Sequence, residues 1–219
     1  TVREVRFPSG EIFRVTGEGF APKGEVLRQD GCKVSPNPTE LELLARAAVL
    51  CNEGDLHLRD GGWTRRGDAV DVALLSFARK AGTSRETELE SHRQVNRIPY
   101  ESEHQFAASF HREGDAAKVY VKGSPERVLQ MCKPFDPAMR SQLDEAALAM
   151  AEQGLRVLAV ASGPAPADLD SDSLPPPPQD LEIIGYVGMI DPLRAGARDA
   201  VAACHSAGVE VAMVTGDHP

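Results

Sequence analysis

The chain has 219 residues and is acidic, because 24 lysines and arginines stand against 33 aspartates and glutamates, a formal net charge of −9. A nucleic-acid partner is therefore not expected, since a protein that neutralises phosphate backbones needs clustered positive charge. With 42% hydrophobic and 26% charged residues the composition is that of an ordinary globular protein, which excludes disorder for most of the chain. No apolar run approaches the roughly 18–20 residues of a membrane-spanning helix.

The N-terminal part is predicted to alternate short strands with helices. Residues 2–7 and 11–16 are predicted as two strands around a Pro-Ser-Gly turn. Apolar residues at helical spacing predict helices over residues 41–50 and about 69–80. Residues 89–96 are predicted as a further, polar helix.

The middle of the chain begins with a predicted hairpin and continues with helices. Residues 106–111 and 118–121 flank a Glu-Gly-Asp turn and are predicted as its two strands. Ser124, followed by proline and glutamate, is predicted to cap a short helix. An Asp-Pro pair opens a longer helix over residues 137–153, and residues 155–161 follow as a strand.

The C-terminal part is predicted to differ in kind. Residues 163–179 are rich in proline, aspartate and serine, which predicts a stiff, exposed connector. Residues 182–189, 195–207 and 209–214 then read as strand, helix and strand, a βαβ unit with parallel pairing. Residues 215–217 follow the carboxyl end of the last strand, where open α/β sheets place their ligand-binding loops.

Five short motifs occur in order along the chain. They are GDAVDVAL at residues 67–74, IPYESE at 98–103, KGSPE at 122–126, DPLR at 191–194 and TGD at 215–217. They are similar to the motifs GDPTExAL, IPFxSE, KGAPE, DPPR and TGD of one family. In this order and approximate spacing, the chain resembles the nucleotide-binding domain of the P-type cation-transporting ATPases, followed by part of their phosphorylation domain.

The resemblance implies a fold and a division of the chain. It implies an α+β domain in which helices flank a twisted antiparallel sheet, followed by a short βαβ piece of a Rossmann-like phosphorylation domain. We expect residues 1–180 to form the nucleotide-binding domain, with residues 163–180 as the Pro-rich connector. Residues 181–219 are expected to be a partial phosphorylation domain.

The adenosine part of the site is implied residue by residue. Tyr100 matches the aromatic residue that stacks on the adenine ring, although a strand-start tyrosine can equally be a core residue. Lys122 matches the lysine at the floor of the pocket, with Gly123 beside it; a single lysine at a strand end is more often solvated. Asp71 matches the acid that approaches the adenine amino group, and its alternative is a surface acid on a helix.

Three further positions complete the implied nucleotide site. Arg156 matches the arginine that reaches the phosphates, a task that suits the forked guanidinium, although a surface ion pair is the alternative. Leu158 matches the residue that packs on the base or ribose. Gln105 stands where many relatives have a lysine, so an amide replaces a cation.

The resemblance places the catalytic residue outside this chain. The phosphorylated aspartate of the family's DKTGT motif is expected upstream of Thr1, so no residue here is predicted to be catalytic and none to be a metal ligand of its own. The residues expected in loops of the phosphorylation domain are Asp191, Arg194, Thr215, Gly216 and Asp217.

The resemblance implies an ATP-binding module in the cytoplasmic part of an integral membrane pump. ATP, Mg²⁺ with the full-length protein, and the remaining phosphorylation, actuator and transmembrane domains are its expected partners, and the isolated chain is expected to be an inactive monomer. Calcium is the first choice of ion, because residues 17–26 resemble the calcium-pump-like subgroup. Two alternatives stay open: a stand-alone phosphohydrolase of the haloacid-dehalogenase type, and a non-catalytic module that docks through its proline run.

Overall fold

The computed structural model describes residues 1–34, 37–114, 116–172, 174–190 and 196–212. Ten strands are defined in this part of the chain. They are β1 (Val2–Arg6), β2 (Ile12–Val15), β3 (Val26–Arg28), β4 (Asp55–Arg59), β5 (Gly62–Arg66), β6 (Arg93–Glu101), β7 (Phe106–Glu113), β8 (Ala116–Gly123), β9 (Arg156–Ala165) and β10 (Glu182–Met189).

Six helices lie between the strands in the described residues. They are α1 (Thr39–Leu50), α2 (Ala69–Lys80), α3 (Arg85–Ser91), α4 (Pro125–Met131), α5 (Pro137–Ala151) and α6 (Ala197–Ser206). Within these same ranges, no helix has the length and apolar character that crossing a membrane requires.

Eight of the described strands form one antiparallel sheet in the order β3-β2-β1-β10-β9-β8-β7-β6, and β4 pairs with β5 in a separate hairpin. Side chains alternate between the two faces along each strand. Tyr120 and Val160 pack with α1 and α2 on one face, whereas their neighbours Val121 and Ala159 pack with α4 and α5 on the other. Both faces are thus covered, and the predicted antiparallel sheet flanked by helices is confirmed.

Local sequence signals account for where the helices begin. Asp68 caps α2 by accepting from the Val70 amide at 2.8 Å, and Asp136 caps α5 by accepting from Met139 at 2.9 Å. Ser124 caps α4 in the predicted way, with Pro125 in its first turn. A capping oxygen satisfies an amide that the helix itself leaves without a partner.

The strand at residues 182–189 was predicted correctly, but its role in a parallel βαβ unit was wrong. As β10 it pairs antiparallel with both β1 and β9 at the centre of the large sheet. A central strand is buried on both faces in either kind of sheet, so its continuous apolar run does not distinguish parallel from antiparallel pairing. The sheet therefore extends past the expected boundary at residue 180.

Other predictions for the C-terminal part need correction. Residues 209–212 form no strand, and the rest of the predicted strand lies outside the described residues. The connector is not exposed throughout, since β9 continues to Ala165 and Leu169 is buried. The predicted helix near residues 195–207 is confirmed as α6, none of whose residues, all described, is buried.

The helix predicted over residues 89–96 is wrong for most of its length. α3 ends at Ser91, and residues from Arg93 onward form β6, which pairs with β7 and is the edge strand among those described. An edge strand with one solvated side is polar, so the apolar alternation that signals a strand is weak there. The short strand β3 and the β4–β5 hairpin were also missed.

Candidate functional site

The predicted site residues on the sheet lie at one end of it. Tyr100 is at the end of β6, Gln105 precedes β7, Lys122 and Gly123 end β8, and Arg156 begins β9. Because neighbouring strands run in opposite directions, the ends of β6 and β8 and the starts of β7 and β9 come together. The strand register agrees with this placement, because Gly123 of β8 lies opposite Phe106 of β7 on one side and Ala159 of β9 on the other.

A buried ion pair joins this end of the sheet to helix α2. The Lys122 ammonium donates to Oδ1 of Asp71, and the two side chains are only 9% and 10% exposed. Asp71 is therefore not the surface acid, and Lys122 not the solvated lysine, that the alternatives supposed. The fold brings these two predicted residues together, 51 positions apart in the sequence.

A turn after α1 binds the second carboxylate oxygen of Asp71. This turn was not identified from the sequence. The Glu53 amide donates to Asp71 Oδ2 at 2.9 Å. The buried Asn52 side chain donates to the carbonyls of Ala48 and Asp71 at 3.0 and 2.9 Å and accepts from the Gly54 amide at 2.8 Å. The only signal in the sequence was an asparagine followed by a Glu-Gly pair at a helix end, which is a turn signal without functional content.

Close approach of β7 and β8 explains the glycine at position 123. A Cβ there would come within 2.8 Å of the Phe106 Cβ, so a side chain would push the strands apart. Gln105 has a positive φ of 58°, and its carbonyl accepts from the Ser124 amide at 2.9 Å. Gln105 is thus part of a turn that fixes the start of α4, and its side chain is exposed.

The remaining predicted residues lie on the same end of the sheet, two of them exposed and one half-buried. Tyr100 is 58% exposed, which excludes the core-aromatic alternative. The exposed Arg156 side chain makes no hydrogen bond or ion pair with the residues that the structure describes. Leu158 is half-buried and packs on the apolar cluster beneath α1 and α2.

A narrow cleft opens between the end of α1 and strands β6 to β8. Lys122, Glu53 and Arg97 line it, and the Arg97 guanidinium lies 3.6 Å from the Glu53 carboxylate. Cys51 also lines the cleft, but burial raises the pKa of its thiol to about 11, so the thiol is neutral near pH 7 and not an activated nucleophile.

The deeper wall of the cleft is a hydrogen-bonded polar chain. Gln94 donates to the Ser109 hydroxyl at 3.0 Å, and that hydroxyl lies 2.8 Å from Nε2 of the buried His111. His111 Nδ1 lies 2.9 Å from the His92 carbonyl. Burial lowers the pKa of His111, which favours the neutral ring.

Five further residues were expected in loops of a phosphorylation domain. Asp191, Arg194, Thr215, Gly216 and Asp217 lie outside the described residues. In the part of the chain that is described, no three histidine, cysteine, aspartate or glutamate residues cluster in a way that could hold a metal ion.

Comparison with known proteins matches the chain to one family model and to several relatives. A family model described as "P-type ATPase, cytoplasmic domain N" matches residues 40–196. The chain is 38% identical over its whole length to "Cation-transporting ATPase pma1" of Synechocystis and 39% identical over its whole length to "Probable cation-transporting ATPase F" of Mycobacterium tuberculosis. It is 30% identical, over 95% of its length, to the "Calcium-transporting ATPase" of Bacillus subtilis. The chain spans about a quarter of the length of these relatives (25%, 25% and 24%).

Proposed function

The chain belongs to the family of the P-type ATPase cytoplasmic domain N, and from this premise we propose that it binds ATP and presents the γ-phosphate to an aspartate outside this chain. In the whole protein this step drives the transport of a cation across a membrane. The proposed partners are ATP and the remaining phosphorylation, actuator and transmembrane domains. The domain itself is proposed to lie in the cytoplasm as a monomeric unit.

The arrangement of side chains around the ion pair supports ATP binding. An exposed aromatic ring, Tyr100, suits stacking on a base, and the half-buried Leu158 offers an apolar surface for the base or ribose. Lys122 lines the cleft as one member of the buried ion pair, and the exposed Arg156 offers a guanidinium to phosphate oxygens.

The position of strands β1 and β10 supports presentation of the phosphate. Arg156 lies opposite Met189 of β10, which in turn lies opposite Val2 of β1. The Thr1 backbone nitrogen donates to the Ile190 carbonyl at 2.8 Å, so β1 begins and β10 ends at the end of the sheet that carries the site. Three strand spacings separate β8 from β1, roughly 14 Å. A nucleotide whose base lies near Lys122 thus extends past Arg156 toward the neighbouring domain.

Mg²⁺ is proposed to arrive on the ATP phosphates, because the described residues contain no acidic cluster to hold it. Asp191, Arg194, Thr215, Gly216 and Asp217 remain proposed loop residues of the phosphorylation domain. The chain alone is proposed to bind nucleotide without autophosphorylation, because phosphoryl transfer needs acceptor, metal and positioning together. Calcium stays our first choice of cation.

The test is an ATP titration of the isolated domain followed by NMR. We expect a Kd of about 0.1 to several mM, which corresponds to roughly 3–5.5 kcal/mol of binding free energy. Tyr100→Ala is expected to weaken binding by about 1–3 kcal/mol because the stacking surface is lost. Tyr100→Phe, the matched control, keeps the ring and is expected to bind like the wild type.

The NMR chemical-shift changes of particular residues distinguish this function from its alternatives. Saturable shifts at Tyr100, Lys122 and Arg156 are expected. Their absence from the wild type at several millimolar ATP contradicts the proposal and leaves the proline-run docking module as the remaining hypothesis. Release of phosphate by the isolated chain would instead favour the stand-alone phosphohydrolase.

A further inference from the structure

Both carboxylate oxygens of Asp71 already have partners inside the protein. Oδ1 accepts from Lys122 and Oδ2 accepts from the Glu53 amide, while the Asp71 side chain is only 10% exposed. The aspartate side chain is also one methylene shorter than the glutamate of the family motif. Asp71 is thus engaged in holding the lysine and the turn, and it is withdrawn from the cleft.

A second acid of the same turn is available to a ligand. The Glu53 side chain lines the cleft with Lys122 and is 48% exposed. Among the described residues its ionic partner is Arg97, which is 61% exposed and lies 3.6 Å from the Glu53 carboxylate. An exposed ion pair of this kind contributes little stability, so a ligand can separate or bridge the two groups at small cost.

We infer that Glu53 accepts the amino group of adenine, with Arg97 as the donor beside it, and that Asp71 is a positioning residue for Lys122. The inference rests on the proposed function, since it assigns base recognition within the same nucleotide site. The edge of adenine offers an amino donor at C6 next to the N1 acceptor. A carboxylate acceptor next to a guanidinium donor is complementary to that pair of groups.

Hypoxanthine, the base of inosine triphosphate (ITP), has the reverse pattern of donor and acceptor. ITP therefore tests this inference directly. Its C6 oxygen is an acceptor and its N1 carries a hydrogen. The Glu53 carboxylate oxygen would then lie against the C6 oxygen of hypoxanthine. Two acceptors repel each other, and the hydrogen bond made with adenine is lost. Preference for ATP over ITP then depends on Glu53.

The experiment measures the Kd of ATP and of ITP by NMR titration for the wild type, Glu53→Gln and Asp71→Asn. A glutamine amide can donate to the C6 oxygen of hypoxanthine, so Glu53→Gln is expected to reduce the ITP/ATP ratio of Kd values by about tenfold. Asp71→Asn is expected to weaken both nucleotides alike and leave their ratio unchanged. Glu145→Gln, an exposed acid on α5 on the other face of the sheet, is the matched control and should bind as the wild type does.

The outcomes separate this inference from the proposed function. If the wild type binds ATP and Glu53→Gln leaves the ITP/ATP ratio of Kd values unchanged, the inference is overturned while ATP binding stands. A ratio that changes in Asp71→Asn and not in Glu53→Gln overturns it as well and returns base recognition to Asp71. If Asp71→Asn does not fold, the ratio measured for Glu53→Gln decides alone. Failure of the wild type to bind either nucleotide contradicts the proposed function itself.

Discussion

At the scale of residues, the Lys122–Asp71 pair links the proposed nucleotide site to the stability of the domain. Each charge is almost fully withdrawn from water, and each has the other as its ionic partner. Burial of a charge is costly unless a partner compensates it. A change made to alter ligand binding at either position therefore alters the folded state too.

Lys122→Met is expected to lower the free energy of unfolding by about 3–5 kcal/mol, because the Asp71 carboxylate then stays buried without its cation. Urea denaturation followed by circular dichroism measures the loss. Lys133→Met is the matched control, since Lys133 pairs with Glu182 at an exposed site and its loss should cost about 1 kcal/mol or less. Equal losses in the two variants would contradict the assigned role of the buried pair.

The sequence motifs identified both members of this pair but not their contact. Each motif marks a residue within its own strand or helix, whereas the contact depends on how α2 packs over β8. Glu53 and Arg97 were missed for a related reason. Neither stands in a motif, and only the packing of the turn after α1 against edge strand β6 brings them into one cleft.

At the scale of elements, the junction of β7, β8 and α4 sets the geometry of the site. Gly123 allows β8 to approach the start of β7. The Gln105 carbonyl accepts a hydrogen bond from the amide of Ser124, the residue just before α4. Lys122 precedes Gly123 in β8, so a displacement of β8 also moves the lysine of the ion pair.

Gly123→Ala is expected to lower the free energy of unfolding by about 1–3 kcal/mol and to weaken nucleotide binding, because the added methyl group overlaps with Phe106. Thermal unfolding and the ATP titration measure the two effects. Gly62→Ala serves as the control, since its Cβ would lie 3.7 Å from the nearest atom, and its effect should stay within about 0.5 kcal/mol. A neutral Gly123→Ala variant would show that the strands can separate freely.

Most elements were predictable where capping and hairpin signals are local. The helix starts at Asp68, Ser124 and Asp136 are examples, because the capping side chain acts within three residues of itself. The position of β10 in the sheet was not predictable in this way. Its partner β1 lies almost the whole chain away, and an apolar run carries no information about the partner or the direction of pairing.

At the scale of the whole molecule, β10 connects the two halves of the sheet. β1, β2 and β3 lie on one side of it, and β9, β8, β7 and β6 lie on the other. Its residues are buried from Ile184 to Met189, so it also completes the core on both faces. The domain that carries the site therefore needs residues beyond position 180.

A chain of residues 1–190 is expected to fold with the full cooperativity of the parent, because α6 buries none of its described residues. A chain of residues 1–180 is expected to unfold, because loss of β10 leaves β1 and β9 without their common partner. Circular dichroism melts and amide NMR spectra of the two chains test this. A stably folded chain 1–180 would contradict the central role of β10.

The two hydrogen bonds between Thr1 and Ile190, of 2.8 and 2.9 Å, have a consequence for how the domain can be rearranged. A fold whose first and last strand ends are adjacent can be joined there by a short linker and opened elsewhere, which is circular permutation. The β4–β5 turn at Gly61 is an exposed place to open it. The same adjacency lets the domain be grafted into a surface loop of an unrelated host, since the host has to bridge only about one strand spacing, roughly 5 Å.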